Sequence, residues 1–155
     1  QFYCRNKIVD AVLMNKKELA RASGVELDLR IEWPDAAPYD DLDLCSLFAN
    51  VLDNAIAAAS DPRLAETERR ASLECFTSGG FLVIDCRNAK AHDIRRNKRG
   101  RILTTKTNRS ERHGIGLTIL EDIAAKYGGE LKIEYGDREF RTTIFLSLEG
   151  EAACG

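Results

Sequence analysis

Apolar residues recur along this chain with two periods, one of helices and one of strands. From Leu44 to Ala59 they fall at Leu44, Leu47, Phe48, Val51, Leu52, Ala55, Ile56 and Ala59. Steps of three and four predict a helix with one stripe turned to a core. Asp40, Asp41 and Asp43 stand at its start, where carboxylates accept from free N–H groups and face the positive end of the helix dipole. A second helix is predicted over Lys7–Ser23, with Ile8, Val9, Val12, Leu13, Leu19 and Ala20 on one face and Gly24 as its stop. A third opens in His113-Gly-Ile-Gly-Leu and runs to Tyr127, with Leu117, Ile119, Leu120, Ile123, Ala124 and Tyr127 inward and Gly128-Gly129 ending it.

The period of two marks the strands. Val25 to Trp33 alternates as a half-buried strand. Ala71–Thr77 and Phe81–Asn88 form a predicted hairpin across Ser78-Gly79-Gly80, and Glu130–Tyr135 and Glu139–Leu148 a second across Gly136-Asp137. Leu64–Arg70 is ambiguous. There is no internal repeat and no composition break, so residues 1–155 read as one domain with a lead-in segment (1–6) and a loose tail (149–155).

Ala89 to His113 has no period. It carries nine Lys and Arg against Asp93 and Glu111, although the whole chain has a net charge of -2. A loop of this length in a compact domain is a lid or an irregular segment. The charge fits a solvated basic loop or a cover over a polyphosphate. No aromatic residue interrupts it, so it offers no stacking platform for nucleic acid. No continuous apolar run is long enough to span a bilayer and no signal peptide is visible. A first residue of Gln instead of Met predicts a piece of a longer protein, with any membrane or sensor part outside it. Five cysteines without a C-x-x-C pair, beside only two histidines, argue against zinc. Cys45, Cys75 and Cys86 lie within or beside apolar patterns and are expected to be buried, reduced thiols of a cytosolic protein.

Two features carry candidate chemistry. Asn50 and Asn54 are four apart, on one side of the central helix beside its stripe. Asn is a poor mid-helix residue. Two stacked carboxamides could hold a polar ligand or an oxygen-seeking metal such as Mg²⁺, or could cap a neighbouring loop. Gly114 and Gly116, at the predicted start of the third helix, allow close backbone approach where free N–H groups favour phosphate. A tight turn without ligand uses the same glycines.

Taken in order, the Asn-x-x-x-Asn-Ala helix, the strand pair, the basic stretch and the Gly-x-Gly helix start resemble the GHKL superfamily of gyrase, heat-shock chaperone, histidine kinase and MutL ATPase domains. The resemblance covers nearly the whole chain. Three stretches make the chain most similar to ATP-binding catalytic domains of quorum-sensing, Agr-type sensor histidine kinases: Cys4-Arg-Asn-Lys-Ile-Val-Asp-Ala-Val-Leu, Asn50-Val-Leu-Asp-Asn-Ala, and Thr104-Thr-Lys-Thr followed by His113-Gly-Ile-Gly-Leu. The resemblance implies an α/β fold (an α+β two-layer sandwich of the Bergerat type), with helices on one face of a mixed, mostly antiparallel sheet. It implies ATP and Mg²⁺ as ligands. Asn54, assisted by Asn50, would coordinate the metal. Gly114 and Gly116, with His113, Ile115 and Leu117 around them, would meet the phosphates, and Lys106 is a lid contact to phosphate. Residues 89–113 would be the ATP lid.

The resemblance also implies partners. These are a dimerisation and phosphotransfer hairpin carrying the acceptor histidine, and a response regulator, in the Agr-type subfamily often of the LytTR type. His92 and His113 match no acceptor motif, so these residues alone are not expected to autophosphorylate. The parent would be a membrane-anchored homodimer with this domain in the cytoplasm and monomeric by itself; nucleic acid is not an expected partner. Asn50 stands where hydrolytic relatives carry a Glu base, and an amide cannot take that proton. Two positions depart from the family pattern. Asn88 replaces the usual adenine-binding Asp, in Asp85-Cys86-Arg87-Asn88-Ala89-Lys90 with no glycine, and Ala57 replaces a frequent Lys. Both predict modest affinity, and they leave a second possibility, a degenerate nucleotide-sensing or protein-interaction module.

Overall fold

The longest apolar stripe in the sequence becomes the centre of the structure. In the computed structural model, residues 2–91, 103–105 and 115–152 are described, the backbone alone for 103–105 and 115. Helix α2 (Asp41–Ala59) buries all eight of its predicted stripe residues, Leu44 through Ala59. Asp40 caps it, accepting from the Leu42 N–H, and Asp41 and Asp43 lie in its first turn. By length and composition α2 could cross a bilayer, but here its stripe is covered by the domain's own core.

Around it stand α1 (Lys7–Ala22), α3 (Ile115–Lys126) and six strands: β1 (Glu26–Ile31), β2 (Arg70–Ser78), β3 (Phe81–Ala89), β4 (Leu103–Thr105), β5 (Leu131–Tyr135) and β6 (Glu139–Ser147). The sheet order is β1-β2-β3-β6-β5-β4. Only β1 and β2 run parallel; the other neighbours are antiparallel. One register row crosses the sheet as Leu29, Leu73, Cys86, Thr142 and Ile133, and it faces the helices. The next row, on the opposite face, reads Arg30, Glu74, Asp85, Thr143 and Lys132. Alternation therefore sorts an apolar face from a charged one. On the charged face Arg141 holds Asp85 with two hydrogen bonds of 3.0 Å, although Asp85 is almost fully buried. This is the two-layer architecture expected from the sequence.

Several expectations change. The three-residue β4 lies inside the stretch predicted to be irregular, paired with β5 through Thr104 and Glu134. Three residues are too few to show a period of two; the open edge of β5 supplies the pairing. Leu64–Arg70 resolves into a 3₁₀ turn (Glu66–Glu68) followed by β2. Cys45 is exposed and Cys4 is buried, the reverse of the apolar-pattern reading for Cys45. Cys45 lies beyond the edge of the α2 stripe, while Cys4 is drawn inward because Asp10 accepts from the N–H groups of Tyr3 and Cys4. On α1 the buried arc narrows to Val9, Leu13 and Ala20, and Ile8 and Leu19 are exposed. The rest of the predicted lid (92–102 and 106–113), Gln1 and the last three tail residues lie outside the described residues.

One joint ties both ends of the helix layer together. The Tyr127 hydroxyl, just past α3, donates to Asp43 at 2.6 Å and accepts from the Asp40 N–H at 2.9 Å. Lys126 donates to the same Asp43 oxygen at 2.8 Å. The Tyr39 ring stands edge-on to Tyr127 at 5.1 Å, and its hydroxyl donates to the Ser147 carbonyl of β6. Beside them Gly129 lies so close to β6 that a Cβ would stand 1.6 Å from the Phe145 carbonyl oxygen.

Two outcomes are expected from this joint. Gly129→Ala forces the helix end off β6 and costs about 3 kcal/mol or more, read as a lower denaturant midpoint. For Asp43, burial opposes ionisation, but hydrogen bonds from Lys126 and Tyr127 outweigh it and hold the carboxyl below its ordinary range. A carboxyl depressed in the folded state stabilises it when ionised, and that contribution is lost as pH falls through the folded value. Asp43→Asn is therefore less stable by about 1 kcal/mol at pH 7, and the deficit shrinks below about pH 4; melts of both proteins from pH 7 to 3 read the difference.

Candidate functional site

Between α2, the end of β3, β6 and α3 lies a cavity of about 340 Å³. Each wall follows from a pattern already described. Helix α2 turns Val51, Asn54 and Ala55 toward it, with the small Ala57 and Ala58 at its rim. Strand β3 contributes Cys86 and Asn88, two residues apart on the helix-facing side, and β6 contributes Phe140 and Thr142 from the neighbouring register positions. Helix α3 adds Leu117 and Leu120. The wall is mainly apolar with a few polar groups, the usual chemistry of a small-molecule site.

The polar groups are specific. Asn88 is buried, and its Nδ2 donates to the Ala89 carbonyl at 2.9 Å, which leaves Oδ1 as an acceptor. Thr142 is also buried and brings a hydroxyl to a row that is otherwise apolar. Burial first, and then the nearby charge of Asp85, pushes the Cys86 thiol up to about 12, so it stays protonated and neutral. Lys90 leaves β3 at the rim, donating from Nζ to the carbonyls of Gly136 at 2.9 Å and Asp137 at 3.2 Å. Its backbone N–H donates to the Arg138 carbonyl. The chain after β3 is thus fastened to the β5–β6 turn.

At the other end of the cavity the two asparagines meet α3. A Cβ placed on Gly116 would stand 3.1 Å from Asn54 Nδ2, 3.6 Å from Asn54 Oδ1 and 3.7 Å from Asn50 Oδ1. A methyl group there would be tight against the Asn54 amide, which would have to give by a few tenths of an ångström, and in ordinary contact with Asn50. Asn50 donates from Nδ2 to the Ser46 carbonyl one helical turn back, at 2.7 Å, so its oxygen is the atom left outward. These oxygens are neutral. Among the described residues no group of three or more His, Cys, Asp or Glu could hold an ion. Carboxamide oxygens fit a hard cation whose charge is balanced by a bound polyphosphate, since Mg²⁺ is held through few protein ligands plus substrate phosphates.

The structure thus brings Asn54, Asn88 and Leu117 to one cavity and sets Gly116 against Asn54 and Asn50. Asn50 itself does not line the cavity. Ile115 opens α3, and its side chain lies outside the described residues, as do Lys106, His92, His113 and Gly114. Sequence reasoning missed Cys86, Thr142, Phe140 and Lys90 as lining residues. Thr142 had a readable signal, a polar residue in the inward row Phe140, Thr142, Ile144, Leu146.

No curated protein sequence matches the chain. Among solved structures, the chain is similar to the Acinetobacter baumannii histidine kinase AdeS, with a TM-score of 0.66 and 12% identity over 97% of this chain and 68% of that one. It is also similar to the catalytic domain of histidine kinase ThkA, with a TM-score of 0.65 and 16% identity over 92% of each chain. These likenesses establish the fold. The sequence profile of the GHKL domain matches residues 40–147, a span that runs from the cap of α2 to the end of β6 and contains the whole cavity; the chain belongs to the GHKL domain family.

Proposed function

We propose that this domain binds Mg-ATP in the cavity and transfers the γ-phosphoryl group to a histidine on a dimerisation hairpin outside these residues, as the catalytic domain of a sensor histidine kinase. GHKL domains bind ATP. The observation that carries the reading for this chain is a cavity lined by both Asn54 and Asn88, with Gly116 leaving little more than the space of a methyl group between α3 and the carboxamides of Asn54 and Asn50. That arrangement suits a ligand with a base at one end and phosphates at the other. Asn88 Oδ1 would accept from the adenine amino group, without the carboxylate charge that strengthens such a bond. Asn54 and Asn50 would hold the metal, which neutralises charge on the phosphates. The N–H groups at the start of α3 would donate to the phosphates, with Lys106 as a further contact.

The absence of a carboxylate at position 50 supports transfer to imidazole over hydrolysis. Imidazole is already nucleophilic, whereas water needs a base. The parent kinase, on this reading, is a membrane-anchored homodimer of the quorum-sensing Agr type that signals to a response regulator of the LytTR type. One observation favours a second reading, a nucleotide-sensing or interaction module: Asn88-Ala89-Lys90 occupies the place of a glycine box, with Lys90 fastened to the β5–β6 turn.

Calorimetric titration with ADP and a non-hydrolysable ATP analogue, with and without Mg²⁺, separates the two. The kinase reading requires binding that depends on magnesium. No heat at millimolar ligand from folded protein favours the module, as does binding indifferent to Mg²⁺. Joining the domain to an upstream hairpin and following phosphohistidine from labelled ATP then tests transfer itself. Asn54→Ala is expected to weaken Mg-nucleotide binding at least about tenfold and to remove its Mg²⁺ dependence; an unchanged titration would remove the metal assignment. Gly116→Ala, which places a methyl group against Asn54, is expected to lose about tenfold in Mg-nucleotide affinity while the melting midpoint stays near that of the wild type.

A further inference from the structure

On the sheet wall of the cavity two buried side chains keep a polar atom without a partner. Asn88 and Thr142 are each 5% exposed. Asn88 engages its Nδ2, but neither its Oδ1 nor the Thr142 hydroxyl has a hydrogen-bond partner. Among the described residues no polar side-chain atom sealed from solvent is left unpaired. Both oxygens are therefore open to the cavity that these residues line.

The polar groups on this wall differ in what they can select. The Thr142 hydroxyl rotates, and it donates or accepts as the ligand requires. The Cys86 thiol is neutral and a weak partner. A carboxamide has a fixed order of oxygen and nitrogen, and that of Asn88 cannot turn over. Its Nδ2 stands 2.9 Å from the Ala89 carbonyl oxygen, and a flip would set two acceptors at that distance. The carbonyl is held in turn. It belongs to a planar trans peptide unit whose N–H, on Lys90, donates to the Arg138 carbonyl at 3.0 Å. In such a unit the C=O points away from the N–H. Tying the N–H to the start of β6, where Ala89 pairs with Glu139, therefore fixes the direction of the carbonyl.

We infer that Asn88 selects the base through an acceptor of fixed orientation, and that the Ala89 carbonyl makes an amide, and not a carboxylate, the side chain that fits at position 88. This rests on the nucleotide reading above. Oδ1 suits a ligand edge that carries a donor, such as the 6-amino group of adenine. The 6-oxo group of hypoxanthine would set a second acceptor against it. A carboxylate has two acceptor oxygens and no donor. At position 88 one of them would take the place of Nδ2 and face the Ala89 carbonyl. The charge that strengthens a hydrogen bond to the base is then opposed by that carbonyl, so the Asp of the family pattern is a loss in this chain.

The test is the affinity of the whole 155-residue chain for Mg-ADP and Mg-IDP at pH 8, in the wild type, Asn88→Asp and Asn88→Ala, with melting curves to verify folding. The wild type is expected to bind Mg-ADP at least about tenfold more tightly than Mg-IDP, because a buried acceptor is left unpaired by the 6-oxo base. Asn88→Asp is expected to weaken Mg-ADP about tenfold, and Asn88→Ala to bring the two nucleotides within about threefold of each other. A wild type that binds both nucleotides alike overturns the base selection alone, and this comparison stands where a variant does not fold. Folded Asn88→Asp that binds Mg-ADP as tightly as the wild type, or more tightly, overturns the fit to the Ala89 carbonyl. A wild type that binds neither nucleotide overturns the nucleotide reading itself, and the role of Asn88 with it.

Discussion

The site depends on the burial of α2. Eight side chains from Leu44 to Ala59 lie within the core, and the six larger than alanine each remove apolar surface worth about 1.5–3 kcal/mol when fully buried. That burial sets the rotation of the helix, and the rotation sets everything else on it. With about 100° between successive residues, a helix seated by this stripe must carry Asn50 and Asn54 along one flank, half-buried and facing α3. A rotation of one residue would either drown both amides or turn them to solvent. The polar chemistry is therefore held by apolar contacts, and no hydrogen bond among the described residues is needed to hold Asn54 in place.

Glycine performs a second task at both ends of α3. At Gly129 it permits the helix terminus to lie on the β6 backbone. At Gly116 it permits the helix start to lie on the carboxamides. A side chain at Gly129 would push the helix off the sheet, whereas one at Gly116 would press on the Asn54 amide, which would have to give by a few tenths of an ångström. The cost is conformational entropy in the unfolded chain, since glycine loses most on folding. The Tyr127–Asp43–Asp40 joint and the predicted α2 stripe limit where the helix can settle in return.

The sheet separates two kinds of polar burial. On the outer face Asp85 is satisfied by Arg141 within a charged row and has no part in the cavity. On the inner face Asn88 and Thr142 interrupt two neighbouring apolar rows. Apolar residues there would bury more surface and leave no polar group to satisfy. Polar residues at core-facing positions are therefore places where this fold gives up some apolar burial. Beyond Asn88, Lys90 fastens the chain after β3 by hydrogen bonding to the carbonyls of Gly136 and Asp137.

Much of this was legible in the chain. The α2 stripe, the two hairpins, the Gly128-Gly129 stop and the inward position of Asn88 all follow from local periodicity, because burial acts on every residue of a helix or strand at once and leaves a repeat. The motif order was legible for the same reason. Burial of α1 was legible only in part, since the width of an apolar stripe does not say how much of it a neighbour will cover; Ile8 and Leu19 stayed outside. The sequence by itself determined which elements form and which faces they bury. The tertiary structure alone decided that β4 pairs with β5, that Cys4 is inside and Cys45 outside, that Thr142 and Cys86 share a cavity with Asn54, and that Tyr127 meets Asp43. Those contacts join residues distant in the chain, and no local repeat encodes a distance across a fold.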